Sequence, residues 1–299
     1  MRILAAGVSG FLGSRLVDRL RAEGHEVVQL VRRPAPGAAQ VRWNPSAGEL
    51  DPAVVANADA VVNLAGAGVG DRRWNDRYRE LLRTSRVDTT RTLARTIAGL
   101  PAADRPKVLL NASAIGWYGD TGDRPVTEET PAGEGFLADM CRVWEAATGP
   151  AEDAGVRVVR LRTGYALDRE AGFLKPQLLP FRLGIGGPLA GGRQWMPWIS
   201  LADWLAAAEF LLVRDDLAGS VNVVAPAPVT NAEFTRELGR ALHRPAVMPV
   251  PAFALRILLG GLATEALTSA RVLPGVLPEA GFSYQHPDLR SALRVALDG

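Results

Sequence analysis

Short apolar segments alternate with longer amphipathic segments along the first half of the chain. The apolar segments have the length and composition of strands and cover residues 3–6, 27–31, 60–64, 108–112 and 156–162. Helix-like patterns lie between them at residues 11–22, 77–99 and 135–154. Continuous apolar strands separated by helices are typical of a parallel sheet that is covered on both faces. We therefore predict an α/β fold, a Rossmann-type doubly wound parallel sheet joined by right-handed crossovers.

The pattern changes after Gly164. Residues 184–192 read GIGGPLAGG, which is too rich in glycine for a core element and is typical of a loop beside a ligand. A further strand is predicted at 221–225, and a helix begins at the capping box of Thr230 and Glu233. The tail, 249–297, has mostly helical patterns. We predict a Rossmann domain at 1–165, with a contribution from about 195–228, and a smaller, mostly helical C-terminal substrate-binding cap region at 166–194 and 229–299.

Composition narrows the classes of function. The chain has 299 residues, of which 47% are hydrophobic, and its formal net charge of +2 gives no reason to expect a nucleic-acid partner. A single cysteine excludes an internal disulfide, and the three histidines have no metal-ligand spacing. No apolar run reaches membrane-spanning length, and Met1 leads directly into a strand. We expect a cytoplasmic protein with a small-molecule substrate, without a metal or a membrane partner, as a monomer or a homodimer.

Three glycines, Gly7, Gly10 and Gly13, lie between the first predicted strand and the first predicted helix. In this context Gly7 permits a tight turn, Gly10 lets the backbone approach a pyrophosphate, and Gly13 allows the helix to pack closely on the strand. Free N–H groups and the positive end of the helix then face the phosphates. The motif predicts a dinucleotide site, with a plain strand–helix turn as the alternative.

The end of the second predicted strand indicates which dinucleotide is bound. NAD-specific proteins usually carry an acidic residue there for the ribose hydroxyls, but this sequence has Arg32 and Arg33 and no Asp or Glu. An arginine favours a 2′-phosphate through its charge and its paired hydrogen bonds. We therefore predict NADP(H) rather than NAD(H). The alternative is that both arginines are simply solvent-exposed residues at the end of the strand.

Small residues follow the third predicted strand in the segment from Asn63 to Gly66, which reads NLAG. Small residues at the carboxyl end of a strand allow the backbone to lie against the adenosine side of a cofactor. Beside the glycine motif, this segment is predicted to be part of the dinucleotide site. By itself it would also suit an ordinary loop.

These segments, in this order and spacing, resemble the extended short-chain dehydrogenase/reductase superfamily. Later motifs narrow the resemblance, namely Trp74-Asn75, Thr84-Ser85-Arg86, SAIGWYG at 113–119, Arg162-Thr163-Gly164 and the segments 180–188, 222–226 and 230–234. Together they resemble an atypical, epimerase-family branch (NAD-dependent epimerase/dehydratase-like). The C-terminal domain of that branch, whose function is uncharacterised, is similar to residues 249–297. The resemblance covers essentially the whole chain.

The resemblance implies an NADP(H)-binding fold with a substrate pocket beneath the C-terminal region. By motif matching it places six residues along the cofactor: Phe11, Leu12, Arg32, Leu64, Ala65 and Arg86. Arg86 would complement the negative charge of the pyrophosphate or contact the ribose. The alternative for Arg86 is a salt-bridged arginine on the surface.

The usual catalytic pair of the superfamily is absent. Typical members use a tyrosine that donates a proton and a lysine, four residues later, that lowers the pKa of the tyrosine. None of the four tyrosines here, Tyr78, Tyr118, Tyr165 and Tyr284, has a lysine at that distance. In the expected helix the matching positions carry Leu137 and Cys141, and neither side chain can replace the pair.

Two other residues are predicted to be catalytic. Ser113 follows the fourth predicted strand, where the superfamily's hydroxyl orients a carbonyl oxygen; the alternative is a loop hydroxyl bonded to the backbone. Tyr118 is expected to reach the nicotinamide as an acid, with a partly buried structural tyrosine as the alternative. Tyr165 with Arg169 is a weaker candidate. Cys141 fits a small buried residue better than a nucleophile.

These features predict an NADP(H)-dependent oxidoreductase that acts on a small or medium-sized organic carbonyl or alcohol. The cofactor would supply the hydride chemistry, and the protein would position the carbonyl and supply a proton. Simple reduction is favoured over a sugar-type epimerase, which needs a competent base. A non-catalytic NADP(H)-binding sensor or partner-binding protein is a further alternative, which the missing pair favours. Trp195 and Trp198, after the glycine-rich loop, fit either a substrate wall or core packing.

Overall fold

The computed structural model describes residues 1–34, 37 and 39–298. The strands in these residues are, in chain order, β1 (Arg2–Ala6), β2 (Glu26–Val31), β3 (Gln40–Arg42), β4 (Ala60–Asn63), β5 (Val108–Ala114), β6 (Pro125–Val126), β7 (Arg157–Thr163), β8 (Tyr165–Leu167), β9 (Trp195–Met196), β10 (Trp198–Ser200), β11 (Gly219–Val223), β12 (Val229–Thr230) and β13 (Arg271–Val272). The long strands are rich in Val, Leu and Ala, as buried parallel strands usually are.

The helices connect the strands and cover the sheet. In chain order they are α1 (Phe11–Ala22), α2 (Pro52–Ala56), α3 (Asp76–Gly99), α4 (Phe136–Ala146), α5 (Gly149–Asp153), α6 (Lys175–Arg182), α7 (Leu201–Val213), α8 (Asn231–Ala241), α9 (Ala252–Leu259), α10 (Leu262–Ala266), α11 (Val276–Glu279) and α12 (Leu289–Asp298). No helix in the described residues combines the length and the apolar character needed to cross a membrane.

Seven strands of the described chain form one parallel sheet in the order β11-β7-β5-β4-β1-β2-β3. The order reverses at β1, because β2 and β3 lie on one side of it and β4 lies on the other. The register aligns Ala6 with both Leu30 and Asn63, so β1, β2 and β4 end at one level. Ligands of open α/β sheets bind beyond the carboxyl ends of the strands at such a reversal. The predicted fold class is confirmed.

Two apolar cores lie on opposite faces of this sheet. On one face, α1 packs through Leu16 and Leu20, and α7 packs through Trp204 and Leu211. On the other face, α3 buries residues such as Ile97 against the strands. Because the central strands β1, β4 and β5 are covered on both sides, they form a firm base for the loops at the carboxyl edge of the sheet.

The α3 face of the sheet becomes polar toward the carboxyl ends of the strands. Asn63 is aligned with Asn111 across β4 and β5, and Arg162 is aligned with both Ser113 and Asn222 across β5, β7 and β11. Since side chains alternate between the faces of a strand, Asn111 and Ser113 point to the same side. This polar end of the face lies under α4, and it is where the functional residues collect.

A smaller core joins α6, α8 and α12 beside the sheet. Its buried side chains include Leu178 and Phe181 of α6, Phe234 of α8 and Leu293 of α12. Helix α8 begins with the predicted capping box, in which Thr230 and Glu233 each accept a hydrogen bond from the backbone of the other.

The structure differs from the predicted elements in one helix and in several elements that were not predicted. The predicted helix at 135–154 is two helices, because α4 ends at Ala146 and α5 begins at Gly149. Pro150 accounts for the break, since it has no N–H to donate to the carbonyl of Ala146 and its ring crowds that carbonyl. The prediction also missed the helices α2, α6 and α7 and seven short strands, namely β3, β6, β8, β9, β10, β12 and β13.

Candidate functional site

The glycine loop after β1 is packed against the loop after β4. Gly7 has a φ of +78°, a conformation that favours glycine, and a Cβ atom there would overlap the backbone of Leu64 and Ala65. A Cβ atom at Gly13 would overlap the carbonyl of Gly7, so the first turn of α1 lies directly on the loop. These close approaches place the predicted residues of the first and third loops at one crevice.

The amino end of α1 opens into this crevice without a side-chain cap. Its N-cap residue is Gly10, and no side chain accepts a hydrogen bond from the first N–H groups of the helix. Those N–H groups, on Phe11, Leu12 and Gly13, have no partner within the helix. Together with the positive end of the helix dipole, they form an arrangement that binds phosphate groups.

A network of buried amides holds the loop after β4. The Asn63 side chain is fully buried; its Nδ2 donates to Asn111 Oδ1 at 2.7 Å and to Thr90 Oγ1 at 3.0 Å. Its Oδ1 accepts from the backbone N–H of Ala65 at 3.2 Å. The Trp144 indole also donates to Thr90 Oγ1 at 3.0 Å. The hydrogen bonds of the Asn63 side chain therefore hold the backbone of residues 63–66 in place beside the glycine loop.

Arg86 lies in the same crevice as a buried cation without a counter-ion. Its side chain is 8% exposed, and a Cβ atom at Gly66 would lie 3.1 Å from Arg86 Cζ. Arg86 Nη1 donates to the carbonyl of Leu82 at 3.0 Å, but Arg86 Nε has no hydrogen-bond partner. Burial lowers the pKa of the guanidinium, and no carboxylate in the described residues offsets this effect. The predicted alternative, a salt-bridged surface arginine, is wrong.

The chemistry of these groups fits a dinucleotide. A buried guanidinium with an unpartnered nitrogen is costly unless an anion or another acceptor reaches it. A pyrophosphate or ribose on the backbone of the glycine loop and of residues 64–66 would supply acceptors at this place. Arg32 follows β2, the next strand outward from β1, and its side chain is exposed. It is available for an anion at that end of the crevice.

Ser113 lies in a second cluster, which is built around a buried ion pair. Arg162 Nε and Nη2 each donate to a carboxylate oxygen of Glu145 at 2.9 Å. Ser113 Oγ donates to Glu145 Oε1 at 2.6 Å, and Ser220 Oγ donates to Glu145 Oε2 at 3.0 Å. Ser113 thus bonds to a carboxylate, which differs from both predicted roles. To donate a proton to a substrate, its hydroxyl would first leave Glu145.

Tyr118 belongs to the same cluster. Its hydroxyl donates to Asn222 Oδ1 at 2.7 Å and accepts from Arg162 Nη1 at 3.1 Å. The side chain is 2% exposed, and burial raises the pKa of Tyr118 to about 12. The Arg162 guanidinium also lies 3.9 Å from the centre of the Trp117 ring. In this arrangement the hydroxyl links three strand ends, and its proton is already engaged.

The positions of the missing catalytic pair are occupied by apolar packing. A Cβ atom at Gly116 would lie 2.9 Å from Leu137 Cβ, so Leu137 faces the loop after β5. Cys141 is fully buried, with its Sγ 3.7 Å from the carbonyl of Ala114, and burial raises the pKa of its thiol to about 12. A thiol with such a pKa is a poor nucleophile at neutral pH.

Other candidates lie apart from the crevice. Trp198 is fully buried in the smaller core, whereas Trp195 is half-buried and packs on Arg271, with 4.5 Å between the ring centre and Arg271 Cζ. Arg169 donates to the carbonyl of Leu297 at 2.9 Å. Within the described residues, no three His, Cys, Asp or Glu side chains lie close enough to hold a metal ion.

Glu145, Arg162 and Asn222 are parts of the site that the sequence did not indicate. Arg162 and Asn222 belong to the motifs that carry the resemblance, but the partner of Arg162 lies 17 residues away on another element. One signal was present: Ser113, Arg162 and Asn222 are polar residues near the ends of otherwise apolar strands. In a sheet buried on both faces, such residues must find buried partners.

Two family models match the chain. The model described as "NAD dependent epimerase/dehydratase family" matches residues 3–148, and the model described as "Domain of unknown function (DUF1731)" matches residues 250–296. The first match contains both loops of the crevice, Arg86 and the helix that carries Glu145. The second covers most of α9 to α12.

Similar proteins span nearly the full chain. An epimerase family protein of Mycobacterium tuberculosis is 43% identical over 295 residues, which cover 98% of this chain and 97% of that protein. The crystal structure of human epimerase family protein SDR39U1 (isoform 2) with NADPH has a TM-score of 0.90 and 34% identity, and the match covers 100% of both chains. A nucleoside-diphosphate sugar epimerase structure from Corynebacterium glutamicum has a TM-score of 0.82 and 33% identity, over 99% of this chain and 58% of that one.

Proposed function

The chain belongs to the NAD dependent epimerase/dehydratase family, and on that premise we propose that it is an NADP(H)-dependent oxidoreductase. Its substrate would be a small or medium-sized organic carbonyl or alcohol. The single observation that carries the proposal is Arg86, a buried guanidinium without a counter-ion at the edge of the crevice. An anionic dinucleotide in the crevice would remove the cost of that isolated charge.

Two groups of residues in the crevice would bind different parts of the cofactor. Gly7, Gly10 and Gly13, with the N–H groups of Phe11 and Leu12, would hold the pyrophosphate at the amino end of α1. A second group would line the adenosine and ribose: Arg32, Leu64, Ala65, Gly66 and Arg86. The human relative was crystallised with NADPH, which supports NADP(H) as the cofactor. The charge of Arg32 favours the 2′-phosphate for the same reason.

When bound, the reduced cofactor supplies a hydride to a substrate carbonyl. In our proposal Ser113 and Tyr118 are the candidates for orienting that carbonyl and supplying a proton, and the Glu145–Arg162 pair holds both hydroxyls in place. Both roles remain predictions. Each hydroxyl would have to exchange its present hydrogen bond for one to the substrate.

A non-catalytic NADP(H)-binding sensor is the second candidate function. It is favoured by the apolar positions of Leu137 and Cys141, where the superfamily's proton donor and lysine would lie. A sugar-type epimerase is the third candidate, and the relative named as a nucleoside-diphosphate sugar epimerase favours it. An epimerase that works by transient oxidation would use NADP⁺ as the hydride acceptor and then regenerate it, so it would change the stereochemistry of a nucleotide sugar without net formation of NADPH.

A screen of carbonyl compounds that follows the loss of NADPH distinguishes these functions. We expect turnover in the native protein and its loss in Ser113→Ala and Tyr118→Phe. Ser220→Ala is the matched control for Ser113, because it also removes a hydrogen bond to Glu145. Unchanged rates in Ser113→Ala and Tyr118→Phe would remove both residues from the mechanism. Binding of NADPH without turnover would favour the sensor. Conversion of a nucleotide sugar in the presence of NADP⁺, without net formation of NADPH, would favour the epimerase.

A further inference from the structure

The strand order locates where a proton donor has to lie. Arg32 follows β2 and the glycine loop follows β1, so a dinucleotide that begins at β2 runs along the crevice toward β4 and β5. Its nicotinamide end would then lie above the carboxyl ends of β5 and β7. Leu137 faces the loop after β5, and Tyr165 follows β7 directly. Neither Leu137 nor Cys141 can donate a proton there.

Helix α10 of the C-terminal region lies close to Leu137, because its Leu262 packs against the same cluster as Leu137. Leu262 packs on the cluster that contains Trp74 and Tyr78 of the α3 end and Met140 of α4. Gly261 is so close that a Cβ atom there would lie 3.3 Å from Trp74 Cβ and 3.1 Å from an Arg79 nitrogen. The helix is therefore anchored over the amino ends of α3 and α4.

Glu265 follows Leu262 by three residues on α10, so the two side chains are neighbours on the surface of that helix, and Leu262 packs against the same cluster as Leu137 of α4. The backbone N–H of Leu137, the residue at the position of the missing tyrosine, is hydrogen-bonded to the Glu265 carboxyl group. The charged and titratable groups that face it are Arg79 of α3 and Tyr165 of β8. The Glu265 side chain is only partly exposed, and in the described part of the chain no cation lies within ion-pair distance of it.

We propose that Glu265 is the general acid of the reaction and takes the place of the missing tyrosine, so that Ser113 and Tyr118 would orient the carbonyl and would not supply its proton. This inference rests on the proposed function. In the reductive direction the Glu265 carboxyl gives its proton to the carbonyl oxygen while the carbonyl carbon accepts the hydride that NADPH supplies. The carbonyl is reduced to an alcohol, NADPH is oxidised to NADP⁺, and Glu265 is left as a carboxylate that solvent reprotonates.

The surroundings suit that role. Burial raises the pKa of Glu265, and the charge of Arg79 and the N–H of Leu137 offset this effect only in part. A raised pKa keeps a carboxyl group protonated closer to neutral pH, where it can act as an acid. Burial raises the pKa of Tyr165 to about 12 and the charge of Glu265 adds to it, so Tyr165 stays neutral in the same range.

The test uses the two redox states of the cofactor and needs no substrate. The full chain is titrated calorimetrically with NADP⁺ and with NADPH at pH values from about 5 to about 9. An ionised Glu265 attracts the positive nicotinamide of NADP⁺ and not the neutral ring of NADPH. We expect the ratio of the NADP⁺ to the NADPH dissociation constant to fall about three- to tenfold as pH rises. The 2′-phosphate is common to both nucleotides, so its titration cancels in the ratio.

Glu265→Gln should make this ratio independent of pH, whereas Glu279→Gln, an exposed carboxyl on α11, should behave like the native protein. Because the pKa of Glu265 is raised, its ionisation weakens the fold as pH rises, and a neutral glutamine should not lower the melting temperature. Glu265→Asp is the second variant; it keeps a titrating carboxyl and should keep a pH-dependent ratio.

Two outcomes overturn the assignment of Glu265. One is a ratio that does not change with pH in the native protein, and the other is a pH dependence that persists in Glu265→Gln. A failure to bind either nucleotide at any pH would contradict the proposed function itself, and the role of Glu265 with it.

Discussion

Arg86 is a buried residue whose side chain is only partly hydrogen-bonded in the absence of a ligand. Its guanidinium is buried against Gly66 and lies 5.1 Å from the centre of the Trp144 ring, with one nitrogen unpartnered. A buried charge without a counter-ion destabilises the fold. The protein tolerates this cost where the charge serves binding.

Arg86→Met should therefore change binding and stability in opposite directions. We expect the affinity for NADPH to fall about tenfold or more, because a hydrogen bond to a charged group contributes about 1.5–3 kcal/mol. The cofactor-free protein should gain about 1 kcal/mol of unfolding free energy, since an apolar side chain replaces an isolated charge. Calorimetry and urea denaturation measure the two effects. Arg83→Met, on the exposed side of the same helix, is the control; a loss of stability in Arg86→Met without weaker binding would contradict the assignment.

Arg32 is the residue that we propose selects NADP(H) over NAD(H). Arg32→Ser should weaken NADPH binding about tenfold, because it removes a charged partner of the 2′-phosphate. It should leave NADH binding almost unchanged, since NADH has no such phosphate. The matched variant Arg33→Ser should have the smaller effect on NADPH. If Arg32→Ser lowered the affinities for NADPH and NADH equally, Arg32 would not be a partner of the 2′-phosphate.

At the scale of elements, the glycine loop and α1 fit together through contacts that leave no space for a side chain. Gly13→Ala should lower the unfolding free energy by about 1–3 kcal/mol, because its Cβ would overlap the carbonyl of Gly7. Gly99→Ala is the control at the exposed end of α3, where a Cβ would meet no neighbour. It should stabilise the protein by about 0.5–1 kcal/mol. Urea denaturation of the two variants checks both signs; a tolerated Gly13→Ala would show that α1 can shift away from the loop.

The ion pair between α4 and β7 is a second contact between elements. Glu145→Gln should cost about 3–5 kcal/mol of unfolding free energy, because Arg162 would stay buried without its carboxylate partner. Asp139→Asn breaks the exposed pair with Arg142 on the same helix and should cost under about 1 kcal/mol. The two variants are compared by urea denaturation. Similar small losses in both would show that the buried pair is not needed for stability.

The sequence predicted the elements of the sheet well where local pattern decides them. Apolar strands of the central sheet and the capping box at Thr230 depend on neighbouring residues only, and the structure contains them. Edge strand β3 has the sequence QVR and little apolar character, so periodicity could not find it. Pro150 indicates the break after Ala146, but the residues on both sides of it have a helical pattern, and one continuous helix was therefore predicted.

Some parts of the candidate site could also be predicted from local sequence, whereas others could not. The glycine loop and the Asn63–Gly66 segment follow strands directly, so their positions could be derived from local pattern. The partners of Ser113 and Tyr118 could not, because Glu145 and Asn222 lie 32 and 104 residues away in sequence. The sequence also could not show that Arg86 has no carboxylate partner, because that depends on which acidic residues lie near it in the folded chain.

At the scale of the whole molecule, two buried or half-buried carboxylates join the last part of the chain to the Rossmann sheet. Asp203 of α7 accepts from the backbone N–H groups of Gln285 at 2.6 Å and His286 at 3.0 Å. Glu128 accepts from the backbone N–H of Gly275 at 3.0 Å and of Asn222 at 2.9 Å. These bonds attach residues 275–286 to α7 and beside β11 at one edge of the sheet. The division into a Rossmann domain and a cap region remains a prediction.

The crevice at the strand reversal should bind NADP(H), and calorimetric titration of the native chain with NADPH and with NADH tests this most directly. We expect binding of NADPH at one site per chain, with an affinity about tenfold or more above that of NADH, because Arg32 offers a charged partner to the 2′-phosphate. Equal affinities would contradict the role of Arg32. The absence of binding for both nucleotides would contradict the assignment of the crevice itself.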